Sequence, residues 1–390
     1  MRKWKTEKLR NCCSKIGSGS TPKGGSTVYI NRGTSLIRSQ NVYNLSFEYD
    51  GLTHITDEAA DKLKVVTLQA NDILLNITGD SVARTCTVPN DVLPARVNQH
   101  VAIIRANPSI IIPRYLNYYL ASPYMQSHML NLAVGKGASR NAMTKAMIEN
   151  FEIPCPPIDI QQRIATILYR YDILIVNYQK QIKLLEEAAQ RLYKEWFVDL
   201  RFPGHEKTKI VDGVPEGWDK KKVGDLISKI RRTKQVAANN YQISGKYPVI
   251  DQSRNYIAGY TDESECVLNV TIPYIVFGDH TRVLKYVPFP FAKGAYGTQI
   301  IMSNDLERMP QSLFYNSLIE IDLSNYSYAR HFKYLKEESI LVPSKDIAER
   351  YDKVVSQYFQ SIQKSRDQIR HLTEARDRLL PKLMSGEIDV

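Results

Sequence analysis

The chain lacks the long apolar run that a membrane span requires. A transmembrane helix needs about 20 consecutive apolar residues, and the longest run here, ILIV at 173–176, is short and lies close to charged residues. The first residues, MRKWKTEKLR, are basic but are not followed by the apolar segment of a secretory signal. We therefore expect a cytoplasmic protein without membrane contact.

Cysteine and histidine are sparse and scattered. There are 5 cysteines and 7 histidines, with no CxxC pair and no HxxxH pair. An odd number of scattered cysteines does not suit a disulfide framework, and the spacing does not fit a zinc site. We predict buried or incidental thiols and no bound metal.

The motifs of common nucleotide-binding, hydrolytic and DNA-modifying enzymes are also missing. There is no P-loop, no GxSxG elbow and no Asn/Asp-Pro-Pro-Tyr loop of an amino-methyltransferase. PEGWDKK (215–221) has the letters of a nuclease site, but its acidic residues lie too close together. Asp80 and Asp279 follow predicted strands and are interpreted as turn residues, and GSGSTPKGG (17–25) as a mobile loop. No residue is predicted to be catalytic.

Basic residues are in excess, and the excess is uneven along the chain. The net charge is +11, and residues 1–155 hold 18 Lys and Arg against 11 Asp and Glu. Residues 156–200 are neutral, with 6 of each sign. Basic globular parts joined by a neutral segment suit a partner with a phosphate backbone, although any basic protein would share this property.

One segment occurs twice. FEIPCPPIDIQQRIATIL (151–168) aligns without a gap with ESILVPSKDIAERYDKVV (338–355), 187 residues further on. The alignment places Pro156 on Pro343. In both copies proline precedes a helical pattern, which is typical of a helix N-terminus.

Apolar residues after each copy recur with the period of 3.5 that is typical of a coiled coil. Ser365 and Arg376 interrupt the second seam, and Pro381 is predicted to end the second helix near residue 380. The predicted helix-pairing residues are Ile164, Leu168, Tyr171, Ile175, Tyr178, Ile182 and Leu185 in the first helix and Tyr351, Val355, Tyr358, Ile362, Ile369 and Leu372 in the second.

Neither helix has a partner next to it in the sequence. The simplest interpretation is that the two pair with each other in antiparallel orientation, each about 50 Å long. Pairing with another chain is the alternative. Ser365 and Arg376, the two polar positions of the second seam, mark either a docking face for a further subunit or the frayed part of the helix pair.

The remaining segments predict an α+β fold: two mixed α/β modules separated by two long helices that form an antiparallel coiled coil. NDILLNITGD (71–80), QHVAIIRA (99–106) and YIVFGD (274–279) predict strands, and 113–133 predicts helices broken at Pro123. The predicted domains are a first module at 1–155, a central helix at 156–200, a second module at 201–342 and a terminal helix at 343–390.

Polar loops in both modules are rich in Arg, Lys, Asn and Gln, which can read guanine and adenine edges through paired hydrogen bonds. The same side chains also bind phosphates without reading sequence, and for each of them a solvated surface position is the alternative. The predicted DNA contacts are Arg38, Gln40, Arg84, Asn98, Gln99, Lys136, Arg140 and Asn141 in the first module and Arg254, Asn255, His280, Arg282, Gln299, Arg330 and Lys333 in the second.

The segment GKGASRNAMTKAMIENFEIPCPPIDIQQRIATIL (135–168) resembles the specificity subunits of type I restriction-modification systems. Their pattern is a Gly/Ser-Arg stretch, a short helix, Ile-Pro-x-Pro-Pro, and then Glu-Gln-x-x-Ile at the start of a helix. RLYKEWFVDL (191–200) and LLPKLMSGEIDV (379–390) resemble the family's central and C-terminal endings. The matching residues are Gly137, Ser139, Arg140, Ile153, Pro154, Pro156, Pro157, Gln161 and Ile164, with Ile160 in place of the glutamate.

This resemblance implies two target recognition domains, each reading one half of a bipartite, gapped site in double-stranded DNA, with the paired helices setting the gap. It also implies two modification subunits that dock on the helices and bind S-adenosylmethionine. Restriction subunits would add cleavage that depends on Mg and ATP. The chain itself would bind no cofactor and would be non-catalytic. A standalone nuclease or methyltransferase, and a coiled-coil scaffold without sequence preference, are the competing hypotheses.

Overall fold

The computed structural model describes residues 4–134, 141–230, 233–326 and 330–390. The chain forms two compact units, the first comprising Met1–Val176 and Ile369–Val390 and the second Asn177–Gln368. Each unit therefore contains a part of both long helices. The domain boundaries predicted from the sequence remain a prediction.

Helices and sheets are mixed in both units, as predicted. The helices are α1 (Leu9–Cys12), α2 (Asp57–Lys62), α3 (Pro113–Ala121), α4 (Pro123–Ala133), α5 (Lys145–Glu149), α6 (Ile158–Tyr193), α7 (Gln311–Ile319), α8 (His331–Glu337) and α9 (Lys345–Met384). The strands of the first unit are β1 (Thr6–Lys8), β2 (Cys13–Ser18), β3 (Tyr29–Ile30), β4 (Thr34–Ile37), β5 (Val42–Tyr43), β6 (Ser46–Phe47), β7 (Thr53–Ile55), β8 (Ile73–Asn76), β9 (Thr85–Thr87), β10 (Ala95–Val97), β11 (Val101–Ala106) and β12 (Glu152–Pro154). Those of the second are β13 (Ile210–Val211), β14 (Val214–Pro215), β15 (Asp219–Lys222), β16 (Tyr247–Ile250), β17 (Gly259–Thr261), β18 (Val267–Leu268), β19 (Tyr274–Gly278), β20 (Leu284–Val287), β21 (Phe291–Lys293), β22 (Thr298–Ile301) and β23 (Ser339–Val342).

The two units repeat one strand arrangement. In the first, β8 lies between β11 and β9, and β10 runs parallel to β4; in the second, β19 lies between β22 and β20, and β21 runs parallel to β16. A strand near the start of each module pairs antiparallel with the strand that precedes its long helix, β1 with β12 and β15 with β23. The repeat noticed at the helix entries therefore extends through the modules.

The central strands are buried on both faces, which explains their continuous apolar runs. Along β11, Ala102 and Ile104 belong to a core shared with the helices, whereas Val101 and Ile103 belong to a second core. Alternate side chains of a strand point to opposite faces, so a strand between two cores is apolar at successive positions. The strands predicted at 71–80, 99–106 and 274–279 are confirmed on their central residues.

Both long helices begin at the repeated proline segments. α6 starts directly after Pro156 and Pro157, and α9 starts shortly after Pro343. Proline suits this position because the first backbone N–H groups of a helix have no partner within it. A π-helical turn at Lys194–Val198 follows α6.

α9 does not end at Pro381, contrary to the prediction; it continues to Met384. A proline inside a helix costs roughly 3 kcal/mol, because it removes a hydrogen bond and crowds the preceding turn. Leu380, Leu383 and Met384 are all buried in the core of the first unit. Burying each such side chain contributes about 1.5–3 kcal/mol, and together they outweigh the cost of the proline.

In the first unit, the beginning of α6 meets the end of α9. Ile164 and Leu168 belong to the same core as Leu380 and Leu383. This core also contains side chains of α3 and α4, so the helix pair and the module are packed as one body.

In the second unit, the end of α6 meets the beginning of α9. The Tyr351 hydroxyl lies 3.3 Å from the carbonyl oxygen of Ala189, and the Ser365 hydroxyl lies 3.4 Å from Oε1 of Gln181. Residues with higher numbers on α6 therefore lie beside residues with lower numbers on α9, which confirms the antiparallel pairing of the two helices. Of the predicted seam residues, Ile164, Leu168, Tyr351, Val355 and Ile362 are buried, and Tyr171, Ile175, Tyr178, Ile182, Leu185, Tyr358, Ile369 and Leu372 are half-buried.

The polar residues of the α9 seam have partners. Ser365 is buried and donates a hydrogen bond to the carbonyl oxygen of Ser361 at 2.8 Å. Arg376 donates to the carboxylate of Asp172 on α6 at 2.8 Å, and Tyr118 donates to the other oxygen of that carboxylate. Both side chains have partners within their own unit, so the pair is not frayed at these positions. A docking face there stays a prediction.

One ion pair lies deep in the first unit. The carboxylate of Asp72 is fully buried and accepts hydrogen bonds from Nε and Nη2 of Arg105, each 2.7 Å long. It also accepts the backbone N–H of Gln69 at 2.8 Å. The bonds to Arg105 raise the pKa of the guanidinium.

We expect Asp72→Ala to lower the free energy of unfolding of the first unit by about 3 kcal/mol, because it leaves a partly buried guanidinium without its partner. Urea unfolding followed by circular dichroism measures the change. Asp61→Ala is the control: its pair with Lys64 is exposed, so it should cost less than about 1 kcal/mol. Equal effects of the two variants would contradict this role of Asp72.

Candidate nucleic-acid interface

Polar loops that follow β4, β8 and β10 meet at one edge of the first unit. We call this the first edge and define it as residues 37–41, 77–84, 97–100 and 141. Backbone hydrogen bonds of 3.0 Å hold the loops together, namely Asn98 N–H to Ile37 O, Ile77 N–H to His100 O and Gly79 N–H to Asn141 O.

The glycine-rich loop at 17–25 begins beside this edge. The N–H of Gly19 donates to the carbonyl oxygen of Val101 at 2.8 Å. A Cβ on Gly19 would lie only 2.2 Å from the carbonyl oxygen of Val97. Glycine is therefore required for this close approach of two backbones.

The predicted contact residues of the first edge differ in their roles. Nη2 of Arg38 and Nε2 of Gln40 both donate to the carbonyl oxygen of Gly51, at 2.8 and 3.2 Å. The guanidinium of Arg84 lies over the ring of Tyr43, with Cζ 4.5 Å from its centre. These contacts fix two basic side chains and one amide at the edge before any ligand binds.

Asn98, Gln99 and Asn141 complete the described part of the first edge. Asn98 is buried, and its Oδ1 accepts the backbone N–H of His100 at 3.1 Å, so it shapes the turn rather than facing outwards. Gln99 and Asn141 have exposed side chains. The predicted contacts Lys136 and Arg140 lie outside the described residues.

A corresponding second edge lies in the second unit, where loops follow β16 and β19. We define it as residues 251–256, 279–282, 295–299 and 330–333. Gln252 joins three of these segments: its Nε2 donates to Tyr296 O at 2.9 Å, its Oε1 accepts His280 N–H at 3.1 Å, and its carbonyl oxygen accepts the Thr281 hydroxyl at 2.6 Å.

Asp279 attaches the fourth segment. Its carbonyl oxygen accepts the N–H of His331 at 2.9 Å, and its Oδ1 accepts the N–H of Phe332 at 2.8 Å. A carboxylate at this position satisfies free N–H groups at the start of α8. Asp279 is thus used to build the edge, while Asp80, its counterpart in the first unit, is exposed.

The structure brings the predicted contacts of the second unit together at the second edge. Arg282 donates to the carbonyl oxygen of Leu323 at 3.1 Å, and Gln299 is half-buried on β22. The residues with exposed side chains are Arg254, Asn255, His280, Arg282, Arg330 and Lys333.

Sequence reasoning missed three residues that organise this edge. Gln252 donates a hydrogen bond to the carbonyl oxygen of Tyr296, and Tyr296 is 85% exposed. Lys285 is buried on β20, and its Nζ donates to the carbonyl oxygens of Asp251 and Asn255, at 2.8 and 2.5 Å. Burial lowers its pKa to about 8. No local pattern marks a lysine on a strand as buried, so only the packed structure identifies it.

Gln161 explains one motif of the helix entry. It is buried in the first turns of α6, where its Nε2 donates to the carbonyl oxygen of Pro156 at 2.8 Å. Its Oε1 accepts the N–H of Ile112 at 2.8 Å. The side chain thereby ties the start of the helix to the segment that precedes α3.

Neither a metal site nor a membrane span is found in the part of the chain that the structure describes. No group of three or more His, Cys, Asp and Glu residues there is placed to hold a metal ion. None of its helices combines the length and the apolar composition of a membrane span. Cys12, Cys86 and Cys266 are buried thiols, and Cys12 Sγ lies 3.8 Å from Cys155 Sγ.

Two modules that share strand pairings, each packed on a part of an antiparallel helix pair and each with a donor-rich edge, define a class of duplicated α+β proteins. Residues 1–187 match the family described as type I restriction modification DNA specificity domain. Residues 1–187 therefore carry a type I restriction-modification DNA specificity domain, and over its whole length the chain is similar to the specificity subunits of type I restriction enzymes.

Relatives cover the whole length of the chain. The type I restriction enzyme MjaIX specificity subunit of Methanocaldococcus jannaschii is 25% identical, over 99% of this chain and 94% of the relative. The HindI specificity subunit of Haemophilus influenzae is 22% identical over 100% of both. The crystal structure of a type I S subunit from M. genitalium has the same fold, with a TM-score of 0.57, 17% identity, and 97% and 96% coverage of this chain and that one.

Lys285→Met should alter how stability depends on pH. The pKa of Lys285 is about 8 in the folded chain and close to 10.5 when unfolded. Below pH 8 both states are protonated and the buried charge costs free energy. Between pH 8 and 10.5 only the unfolded chain holds the proton, so folding avoids that cost and stability rises with pH.

The free energy of unfolding of the wild type, minus that of Lys285→Met, should therefore increase by about 3 kcal/mol from pH 7 to pH 10.5. Urea titrations across this range measure it, and other titrating groups cancel in the difference. Lys220→Met, which removes an exposed lysine, is the control. A constant difference for Lys285→Met would contradict the lowered pKa.

Proposed function

We propose that this specificity subunit reads a bipartite, gapped site in double-stranded DNA, one half-site with each module. The observation that carries the proposal is the repeated strand arrangement, which presents Arg, Asn and Gln side chains at corresponding strand ends of both units. Such side chains recognise purine edges in the major groove. Because the two edges differ in sequence, the two half-sites should differ as well.

The excess of positive charge supports DNA as the partner. The net charge of +11 favours association with phosphates, and exposed Arg254, Arg282 and Lys333 lie at the second edge. Contacts to phosphates would orient each module, and contacts to base edges would supply the specificity.

The paired helices are proposed to set the gap between the half-sites. α6 has 36 residues, which corresponds to a length of about 54 Å. At about 3.4 Å per base pair this length spans roughly 16 base pairs, so each module could enter a major groove on its own side of a gap.

Two modification subunits are proposed to dock on the helices, and restriction subunits to join them. In the first unit, Tyr169, Ile173, Leu174 and Val176 of α6 are exposed. A run of exposed apolar side chains on one helix suits a protein partner. The modification subunits would flip an adenine out of the duplex for methylation.

The cofactors are proposed to lie on those partners. S-adenosylmethionine would bind the modification subunits, and Mg and ATP would serve the restriction subunits, with none bound by this chain. Its place of action would be the cytoplasm, where these subunits meet DNA.

Exchanging one module tests the proposal. A chimera in which residues 1–155 come from another specificity subunit should methylate a site with one new and one original half, because each module reads its half independently. Methylome sequencing of cells that express the chimera, the wild type or neither identifies the sites. The reverse chimera at 201–342 is the matched control. A change in both halves, or a continuous site without a gap, would refute the proposal.

Inserting seven residues, one heptad, into both α6 and α9 at facing positions should lengthen the gap and leave both half-sites unchanged. A full heptad preserves the seam and adds about 10 Å, which corresponds to roughly three base pairs. Methylome sequencing again provides the measurement. Five residues inserted at the same places form the control, because they turn the seam by about 140° away from the partner helix and should abolish methylation. An unchanged gap in the heptad variant would disprove the spacer role.

A further inference from the structure

We propose that Arg366 is a positioning residue for the recognition loop at 251–256, so that the helix pair of the second unit determines how accurately this module reads its half-site. The inference rests on the proposed function and extends it. It assigns the specificity of one module to a residue on α9, outside the second edge.

Arg366 connects both long helices with the loop. Its Nη2 forms an ion pair of 3.0 Å with Oε1 of Glu186 on α6. Its guanidinium also lies over the ring of Tyr256 in the loop, with Cζ 3.7 Å from the ring centre. Only a planar cation can make an ion pair in its plane and stack through its face at the same time.

The far side of the loop is fixed to the sheet. The Tyr256 hydroxyl donates to the carbonyl oxygen of Tyr286 at 2.6 Å, and Lys285 holds the carbonyl oxygens of Asp251 and Asn255. The loop is therefore held from β20 and from α9, while the side chains of Arg254 and Asn255 remain exposed at the second edge.

A pocket of about 290 Å³ lies between the loop, β20 and the helices. The loop is therefore not packed on all sides, and it has space to move once its hold on α9 is lost. The lining includes Tyr256, Lys285, Tyr286, Tyr315, Phe359 and Arg366.

The first unit contains a similar ion pair that does not touch a loop of its edge. Arg376 on α9 pairs with Asp172 on α6 at 2.8 Å, and the tyrosine that contacts Asp172 is Tyr118 of α3. α3 is a buried helix and lies outside the first edge. Arg376 is therefore a matched control that has the same chemistry and joins the same helices without reaching a recognition loop.

The experiment measures half-site discrimination by the assembled methyltransferase complex. Dissociation constants are determined for the specific duplex and for duplexes altered in one half-site or the other. In Arg366→Met, discrimination at the half-site read by residues 201–342 should fall about tenfold, the value of one well-formed base contact. Discrimination at the other half-site should stay within about twofold, and Arg376→Met should change neither.

Two further variants separate positioning from folding. Tyr256→Leu removes the stacking from the side of the loop and leaves the Arg366–Glu186 pair, and it should give the same selective loss. Arg366→Lys keeps the charge without the planar stack and should rescue discrimination only in part. Thermal unfolding of each complex identifies variants that do not fold. If Arg366→Met does not fold, the loss of discrimination in Tyr256→Leu tests the positioning role instead.

Unchanged discrimination at the second half-site, or an equal loss at both, would overturn the positioning role. If the wild-type complex itself shows no two separable half-sites, the proposed function fails and this inference fails with it. These outcomes are distinguishable because the first half-site serves as an internal reference in every measurement.

Discussion

The antiparallel pairing of α6 with α9 is the constraint on which the rest of the structure depends. Each compact unit takes a part of its core from both helices, as Ile164 and Leu380 show in the first unit and Ala189 and Tyr351 in the second. Neither module buries its apolar surface alone. A helix with a narrow apolar seam gains most of its stability from a partner. For α6 this partner is α9, the helix that follows the second copy of the proline segment.

Polar interactions within the pair have functions that apolar seam residues cannot perform. Arg376 and Arg366 each join the two helices through a carboxylate. A tyrosine of the module adds a further contact in both places: Tyr118 donates to Asp172, the partner of Arg376, and the ring of Tyr256 lies against the guanidinium of Arg366. Such pairs add little net stability but fix register, because only one alignment satisfies both charges. The proposed reading of DNA by the second module depends on this fixed register.

The duplicated modules combine a common framework with different loops. The three central strands and the helix entry are repeated, while the loops at the edges differ in length and sequence. Backbone hydrogen bonds hold the first edge together, whereas Gln252 and Asp279 hold the second. The loops can therefore differ without loss of the fold, because the cores lie behind the edges.

The sequence by itself determined the elements whose signals are local and periodic: the heptads, the proline entries, the central strands and the break at Pro123. Only the tertiary structure decided where Pro381 is tolerated, that Asn98 faces inwards, and that Lys285 and Gln252 shape the second edge. The physical reason is that these outcomes depend on burial and on hydrogen-bond partners far away in the chain. A heptad pattern is recognised within a short stretch of sequence. The structural role of a buried lysine such as Lys285 depends on carbonyl groups from other parts of the chain.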